Sequence, residues 1–355
     1  MIDVVIVEDS PVSMEVLVHV LSSDPNLRVV GQATSGEEGI ELVKKHRPSI
    51  VTMDIQLPKM DGLQATRIIM ETCPTPIVIV TSNHDPHSVE VIFKSLEAGA
   101  LSVIEKPRAV GHPESARLAK ELIQTVKLMS EVKVVGRRHR QLRSSAENNV
   151  KNKFVDRQSD GLEKIVVVGA STGGPPAIEA ILRDLPREIP APILIVQHIS
   201  TGFVQGFCEW LSQITSLPVH IATDDEQLLC GHVYIAPDGY HLGVKKKGRS
   251  SLSKGEGGLQ CPSVEHLFRS VAEVYGPDAI GVLLSGMGRD GADGLKTIHD
   301  LGAFTIAQDQ DSSVVFGMPW EAIRKGAATY VLPPKKISEM LVSILMSPTG
   351  GSNGK

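Results

Sequence analysis

Cysteine is scarce in this 355-residue chain: Cys73, Cys208, Cys230 and Cys261 stand far apart and form no CxxC pair. That spacing speaks against a disulfide framework and against a zinc knuckle, so the four are expected to be reduced packing residues. Aromatics make up only 4% of the chain against 41% apolar residues overall, a balance that suits ordinary α/β globules. No apolar run approaches the roughly 20 residues needed to span a bilayer. The first seven residues carry no basic stretch and are broken by Asp3, which does not fit a signal peptide. Cationic excess is missing too, since the net charge is −5. A negative balance argues against wholesale nucleic-acid or membrane-surface binding. The expectation is a cytoplasmic protein with no membrane insertion and no nucleic-acid partner. There is no internal repeat, and the length implies two domains, each large enough to bury its own core.

What is present begins with alternation. Strand-like runs at residues 3–7, 28–32, 50–53, 77–81 and 101–104 alternate with amphipathic helical patterns, which predicts a doubly wound parallel sheet over residues 1–130. Acidic residues collect where two of those strands end: Glu8 and Asp9 after the first, Asp54 after the third. Three carboxylates close together repel one another and call for a hard divalent cation, and an oxygen-rich set that keeps waters suits magnesium. Other strand ends supply Thr81 and Lys106. A carboxylate with a metal, a hydroxyl and an ammonium around it can trap a transferred phosphoryl group. Taken singly, Asp54 could instead cap a turn, and Glu8 and Asp9 could be solvated loop acids.

Together, Glu8-Asp9, Met53-Asp54, Leu57-Pro-Lys-Met-Asp-Gly62, Thr81 and Lys106-Pro107 resemble the receiver domain of bacterial response regulators, a flavodoxin-like fold. The resemblance implies that Asp54 accepts a phosphoryl group from a histidine kinase. It also implies that Glu8, Asp9, Asp54 and the Gln56 carbonyl hold Mg2+, and that Thr81 and Lys106 bind the phosphoryl oxygens. Many receivers carry an aromatic switch residue three positions before that lysine; here the position is Val103.

Between residues 131 and 163 the character changes. Seven basic residues (Lys133, Arg137, Arg138, Arg140, Arg143, Lys151, Lys153) face only two acidic ones (Glu131, Glu147) over residues 131–153, with almost no apolar periodicity. The segment reads as a flexible basic linker. It has no interleaved aromatics and no recognition-helix pattern of the kind nucleic-acid binding would use.

The second unit, residues 164–346, offers strands at 165–168, 193–197, 232–236, 279–284, 304–307 and 329–331, with helices at 263–274 and 336–345. An antiparallel excursion is expected around Pro237-Asp-Gly-Tyr240, and residues 347–355 read as a disordered tail. The first of these strands runs into Gly169-Ala-Ser-Thr-Gly173, which satisfies the nucleophile-elbow pattern and lifts Ser171 on a tight turn before a helix opening at Pro175 and Pro176. Ser171 needs a base. His198 follows a buried strand directly, and Asp290, in Ser285-Gly-Met-Gly-Arg-Asp-Gly291, could orient its ring. Backbone N–H groups of that glycine-rich turn and those after Ser171 could form an oxyanion hole. The order serine, histidine, aspartate differs from that of α/β-hydrolases. Other readings stay open: Gly173-Gly174 could cradle a phosphate, Asp290 could cap the helix starting near Gly291, and His220, His232, His241 and His266 compete with His198.

Gly169-Ala-Ser-Thr-Gly-Gly174, Val196-Gln-His198, Tyr234-Ile-Ala-Pro237, Pro262-Ser-Val264, Ser285-Gly-Met-Gly-Arg-Asp-Gly-Ala292 and Phe316-Gly-Met-Pro319 resemble the catalytic domain of the CheB family, protein-glutamate methylesterases of bacterial chemotaxis. A receiver on the amino-terminal side is that family's usual architecture. The resemblance implies Ser171 as nucleophile, His198 as base and acid, Asp290 as its orienter, the Met287 N–H as oxyanion donor and Thr172 as a positioning residue. It implies methyl-accepting receptors as substrate, glutamine deamidation as a second activity, and no cofactor for the ester chemistry. Two other classes compete: a phosphorylation-dependent scaffold that has lost turnover, and a regulator whose basic linker binds nucleic acid.

Overall fold

The computed structural model describes residues 1–81, 86–108, 115–132, 134, 164–246, 248–255 and 260–346, with 86–90 as backbone only. The linker expected over 131–163 and the tail expected over 347–355 fall outside these residues, apart from Glu131, Val132 and Val134 and the edge of the second unit.

The first unit alternates β1 (Ile2–Val7), α1 (Pro11–Ser22), β2 (Leu27–Ala33), α2 (Gly36–His46), β3 (Ile50–Met53), α3 (Gly62–Thr72), β4 (Ile77–Thr81), α4 (Pro86–Glu97), β5 (Ser102–Glu105) and α5 (Ser115–Ser130). Its sheet is parallel in the order β2-β1-β3-β4-β5. β3 and β4 are buried along their whole length, as strands covered by helices on both faces must be. Helix starts are set locally: Ser35 accepts from Glu38 N–H and Asp61 from Gln64 N–H.

The second unit runs β6 (Ile165–Ala170), α6 (Gly174–Leu182), β7 (Ile193–Gln197), α7 (Val204–Ile214), β8 (Val219–Ile221), β9 (Val233–Ile235), β10 (Tyr240–Val244), β11 (Ser250–Lys254), α8 (Val264–Tyr275), β12 (Ala279–Leu283), α9 (Ala292–Asp300), β13 (Phe304–Gln308), α10 (Met318–Arg324), β14 (Tyr330–Leu332) and α11 (Pro334–Met346). Seven strands form a parallel sheet ordered β14-β13-β12-β6-β7-β9-β8. The chain starts at the central β6, builds outward through β7, then returns to β12 on the other side. The order therefore reverses between β6 and β12, and a crevice opens beyond their carboxyl ends.

One expectation about the strands needs correction. The antiparallel excursion is not a turn at residues 237–240. β9 stays parallel in the main sheet, and the antiparallel pair is β10 with β11, turning between Val244 and Ser250. β8 was not anticipated, because three half-buried residues at a sheet edge give too short a period to read.

The two units pack against each other. Phe93 of α4 stacks on Trp210 of α7 at 5.0 Å between centroids and meets Phe207 at 5.4 Å. Trp210 Nε1 donates to Glu97 Oε1 at 3.0 Å. On the other side, Val314 and Val315 pack against the apolar cluster that holds Leu122, Val126 and Met129 of α5. Val103, on β5, is partly buried against a core cluster that continues through Phe93, Phe207 and Trp210 into the second unit.

Candidate active site and acidic cluster

Parallel register brings the candidate residues together. Ala170, the last residue of β6, pairs with Gln197, the last of β7, so Ser171 and His198 leave adjacent strands side by side. His198 N–H donates to Ala170 O at 2.9 Å, and Ser171 N–H donates to Ser285 O at 3.0 Å, which ties the elbow to the loop after β12. Gly286 of that loop approaches so closely that an added Cβ would lie 2.7 Å from Ser171 Cβ; only glycine fits there.

The His198 side chain is 8% exposed and turns Nε2 toward Asp290, with Oδ2 at 3.0 Å, in ion-pair reach but off the line of a straight hydrogen bond. Its Nδ1 is buried and has no hydrogen-bond partner among the described residues. Asp290 has a second set of partners. Its carboxylate accepts from Val264 N–H at 2.8 Å, from Glu265 N–H at 3.0 Å and from Ser263 Oγ at 3.0 Å. It therefore caps α8, not the helix beginning near Gly291 that the sequence suggested; in that helix, α9, the first-turn Gly294 N–H goes instead to Glu265 Oε2 at 2.7 Å. Burial alone would raise the Asp290 carboxyl, yet the His198 ring and the two amides outweigh it and hold it below the usual carboxylate value.

Met287 and Thr172 both lie at this crevice, and neither backbone N–H makes a hydrogen bond among the described residues. Met287 is 48% exposed and lines a cavity of about 650 Å³ with Lys120, Gln124 and Lys127 of α5. Ser200, two residues past His198, lies 3.5 Å from Glu121 of the same helix. One helix of the first unit thus abuts loops on both sides of Ser171. Two groups escaped the sequence reading. Ser285 is fully buried and donates from Oγ to Thr172 O at 2.8 Å, and Gln197 donates to the Ser171 carbonyl at 2.8 Å. Each sat inside a motif already noted; the missing signal was a buried polar side chain at the end of an apolar strand. Among the rival histidines, His220 and His232 pair with each other at 2.9 Å, and His241 stacks on His266.

In the first unit, carboxylate oxygens of Glu8, Asp9 and Asp54 lie within 4.8 Å of one another. Lys106 Nζ stands 2.7 Å from Glu8 and 2.6 Å from Asp54. Burial raises both the Glu8 and Asp54 carboxyls despite that lysine, while Glu8 and Asp54 together hold the Lys106 ammonium up against its own burial. An all-oxygen set, crowded and desolvated in this way, has the chemistry a hard divalent cation such as magnesium accepts. Asp54 Oδ1 takes the Ile55 N–H at 2.7 Å, and the Gln56 N–H also bonds this carboxylate. Thr81 is buried at the end of β4, and its carbonyl accepts from the Lys106 N–H at 3.0 Å.

A receiver-type α/β unit carrying an acidic cluster, joined to a second doubly wound unit with serine, histidine and aspartate at its switch point, defines a response-regulator enzyme. The comparisons give the particular family. Residues 166–341 match the CheB methylesterase model and residues 4–116 the response regulator receiver domain model. A protein-glutamate methylesterase/protein-glutamine glutaminase of Nitrosospira multiformis is 52% identical over 97% of both chains. One from Syntrophus aciditrophicus is 51% identical over 97% of this chain and 98% of its own. The crystal structure of the Thermotoga maritima CheB methylesterase catalytic domain is 41% identical, covers 51% of this chain and 98% of that one, and has a TM-score of 0.49. The chain belongs to the CheB family and is a methylesterase of that family with a receiver domain. Among the described residues, no helix is long and apolar enough to cross a membrane.

Proposed function

We propose that the protein hydrolyses glutamate γ-methyl esters on methyl-accepting chemotaxis receptors, and deamidates receptor glutamines by the same route, under control of Asp54 phosphorylation by a histidine kinase. The observation that carries this reading is His198: Nε2 faces Asp290 while Nδ1 is buried without a partner on the strand end next to Ser171. Nδ1 takes the Ser171 proton as Oγ attacks the ester carbonyl carbon. The resulting imidazolium is stabilised by Asp290, and the tetrahedral oxyanion is met by the Met287 and Thr172 N–H groups. Collapse breaks the bond to the methoxy oxygen, which leaves as methanol with the proton from His198. Water, deprotonated by His198, then attacks the acyl-serine, and the free glutamate departs as Ser171 is reprotonated. A glutamine amide treated in the same way loses ammonia.

Control is steric. Helix α5 stands over the crevice loops, and the Phe93, Phe207 and Trp210 stack anchors α4. Glu8, Asp9, Asp54 and the Gln56 carbonyl would hold magnesium, which neutralises charge around the phosphoryl group, while Thr81 and Lys106 take its oxygens. Transfer of Lys106 from its bridge between Glu8 and Asp54 to that group repacks the face carrying α4 and α5 and loosens the docked receiver.

The test is methanol release from methylated receptor membranes by the full chain. A small-molecule phosphodonor with magnesium is expected to raise the rate about 5- to 150-fold, the range of a coupling free energy of about 1–3 kcal/mol. Asp54→Asn, or chelation of magnesium, should remove that response while leaving the basal rate. A phosphodonor response that survives Asp54→Asn would remove Asp54 from the scheme.

The interface gives its own prediction. Trp210→Phe keeps the stack but loses the hydrogen bond to Glu97, worth about 1 kcal/mol. The unphosphorylated rate should rise roughly fivefold and the phosphodonor ratio should shrink by the same factor. An unchanged basal rate would mean that this contact does not hold the receiver down.

A further inference from the structure

We infer that Gln197 is a positioning residue of the esterase reaction, its carboxamide fixing the peptide planes that aim the nucleophile and one oxyanion donor. The inference rests on the methylesterase reading above and adds to it a residue that never meets the substrate.

Gln197 closes β7, a strand otherwise composed of Ile193, Leu194, Ile195 and Val196, and is 4% exposed. A carboxamide buried in such a run is costly unless it finds partners. Its Nε2 donates twice, to Ser171 O at 2.8 Å and to His198 O at 2.8 Å. One side chain therefore ties the main chain of the nucleophile to that of the base. Ser171 O also accepts from Gly174 N–H at 2.8 Å, so this carbonyl is drawn inward by two donors.

Peptide geometry turns that into a functional statement. In a planar trans peptide the N–H points opposite to the C=O. Drawing the Ser171 carbonyl toward Gln197 therefore turns the Thr172 N–H the other way, away from the carboxamide. That N–H has no hydrogen-bond partner among the described residues, and an elbow uses the N–H after its nucleophile as an oxyanion donor. His198 is held at both of its backbone groups, its N–H on Ala170 O and its C=O on Gln197.

The surroundings are shaped to admit this side chain. At Gly174 an added Cβ would lie 2.1 Å from Gln197 Oε1, so the turn has room for the carboxamide only because residue 174 is glycine. Oε1 itself accepts no hydrogen bond among the described residues. It lies at the amino-terminal end of α6, where aligned peptide dipoles favour negative charge. Both N–H bonds of the amide are used and its oxygen is not, so the group serves as a donor.

The test compares full-length Gln197→Met, which keeps length but has no donors, and Gln197→Glu, which keeps shape, with wild type and a Ser171→Ala control. Rates are taken well below each variant's own unfolding midpoint. For both variants kcat should fall about 10- to 100-fold, the effect of misplacing a reacting group by an ångström or less. KM should stay within about twofold, because the substrate's ground-state contacts are untouched. Affinity for a boronic acid, whose serine adduct places a hydroxyl in the oxyanion site, should fall in parallel with kcat; a purely structural role would leave it unmoved. The inference is overturned if either folded variant keeps kcat and boronate affinity within about twofold of wild type, or if the loss lies in KM. Failure of the underlying reading looks different: wild type and the Ser171→Ala control would then release methanol equally.

Discussion

Ser171→Ala is expected to reduce methanol release by about 10⁴- to 10⁶-fold, to a rate set only by whatever the remaining site does for a directly attacking water. The magnitude follows from position. Ser171 sits at the end of the central strand β6, where its own N–H is bound to Ser285 O and its carbonyl to Gln197 and Gly174. With its main chain held on both sides, the residue presents its side chain to the crevice from a fixed position, as a nucleophile must. Alanine removes the oxygen and disturbs none of those backbone bonds, so the variant should fold and dock its receiver as wild type does. Methanol release from receptor membranes, with unfolding midpoints in parallel, checks both halves. A variant that retains a tenth of wild-type activity would exclude Ser171 as the nucleophile.

Asp290→Asn should cost roughly 10⁴ in kcat through the tautomer it imposes. The asparagine amide can donate to His198 Nε2, which drives the ring proton onto Nδ1, the nitrogen that must accept the serine proton. A second consequence separates this residue from the rest of the site, because its carboxylate also caps α8 through Val264 N–H, Glu265 N–H and Ser263 Oγ. Losing charge at that cap should cost about 0.5–2 kcal/mol of stability. The pH dependence has a definite sign. The folded-state pKa of Asp290 lies below the 3.8 of an unperturbed aspartate, because the His198 ring and the α8 amides outweigh burial. Its contribution is therefore full above pH 3.8 and is lost as pH falls through the depressed folded value. Denaturant unfolding should show Asp290→Asn less stable than wild type at neutral pH, with the gap closing below that value. A gap that stays constant into acid would mean the cap does not depend on the charge.

Much of the architecture was readable because it is local. β3, β4 and β7 occupy the residues their apolar runs marked, and the proline-led start of α6 falls where the elbow pattern puts it. Short or shallow elements were not. β8 is a half-buried edge of three residues, and Pro237-Asp-Gly-Tyr240 carries turn chemistry without being the turn of the β10–β11 hairpin. At the acidic cluster, Glu8, Asp9 and Asp54 could be assembled in advance because the Glu8-Asp9 pair and Asp54 sit just past the ends of two strands of a parallel sheet. Val103 marked the switch position as non-aromatic. The aromatic packing lies instead between α4 and α7, at Phe93, Phe207 and Trp210, residues 114 or more positions apart across the interface on the shorter span from 93 to 207.

The sequence by itself determined the chemistry available: a serine on a glycine turn, a histidine and an aspartate after strands, and carboxylates with a lysine at other strand ends. Strand period, turn residues and motif spacing are properties of neighbours in the chain, so they can be read from it. Only the tertiary structure decided which nitrogen of His198 faces Asp290, that Asp290 caps α8, that Gln197 binds two carbonyls, and that α5 lies against the crevice. Those are hydrogen bonds and packing contacts between segments far apart in sequence, and their partners are chosen by sheet order and register after the strands have assembled.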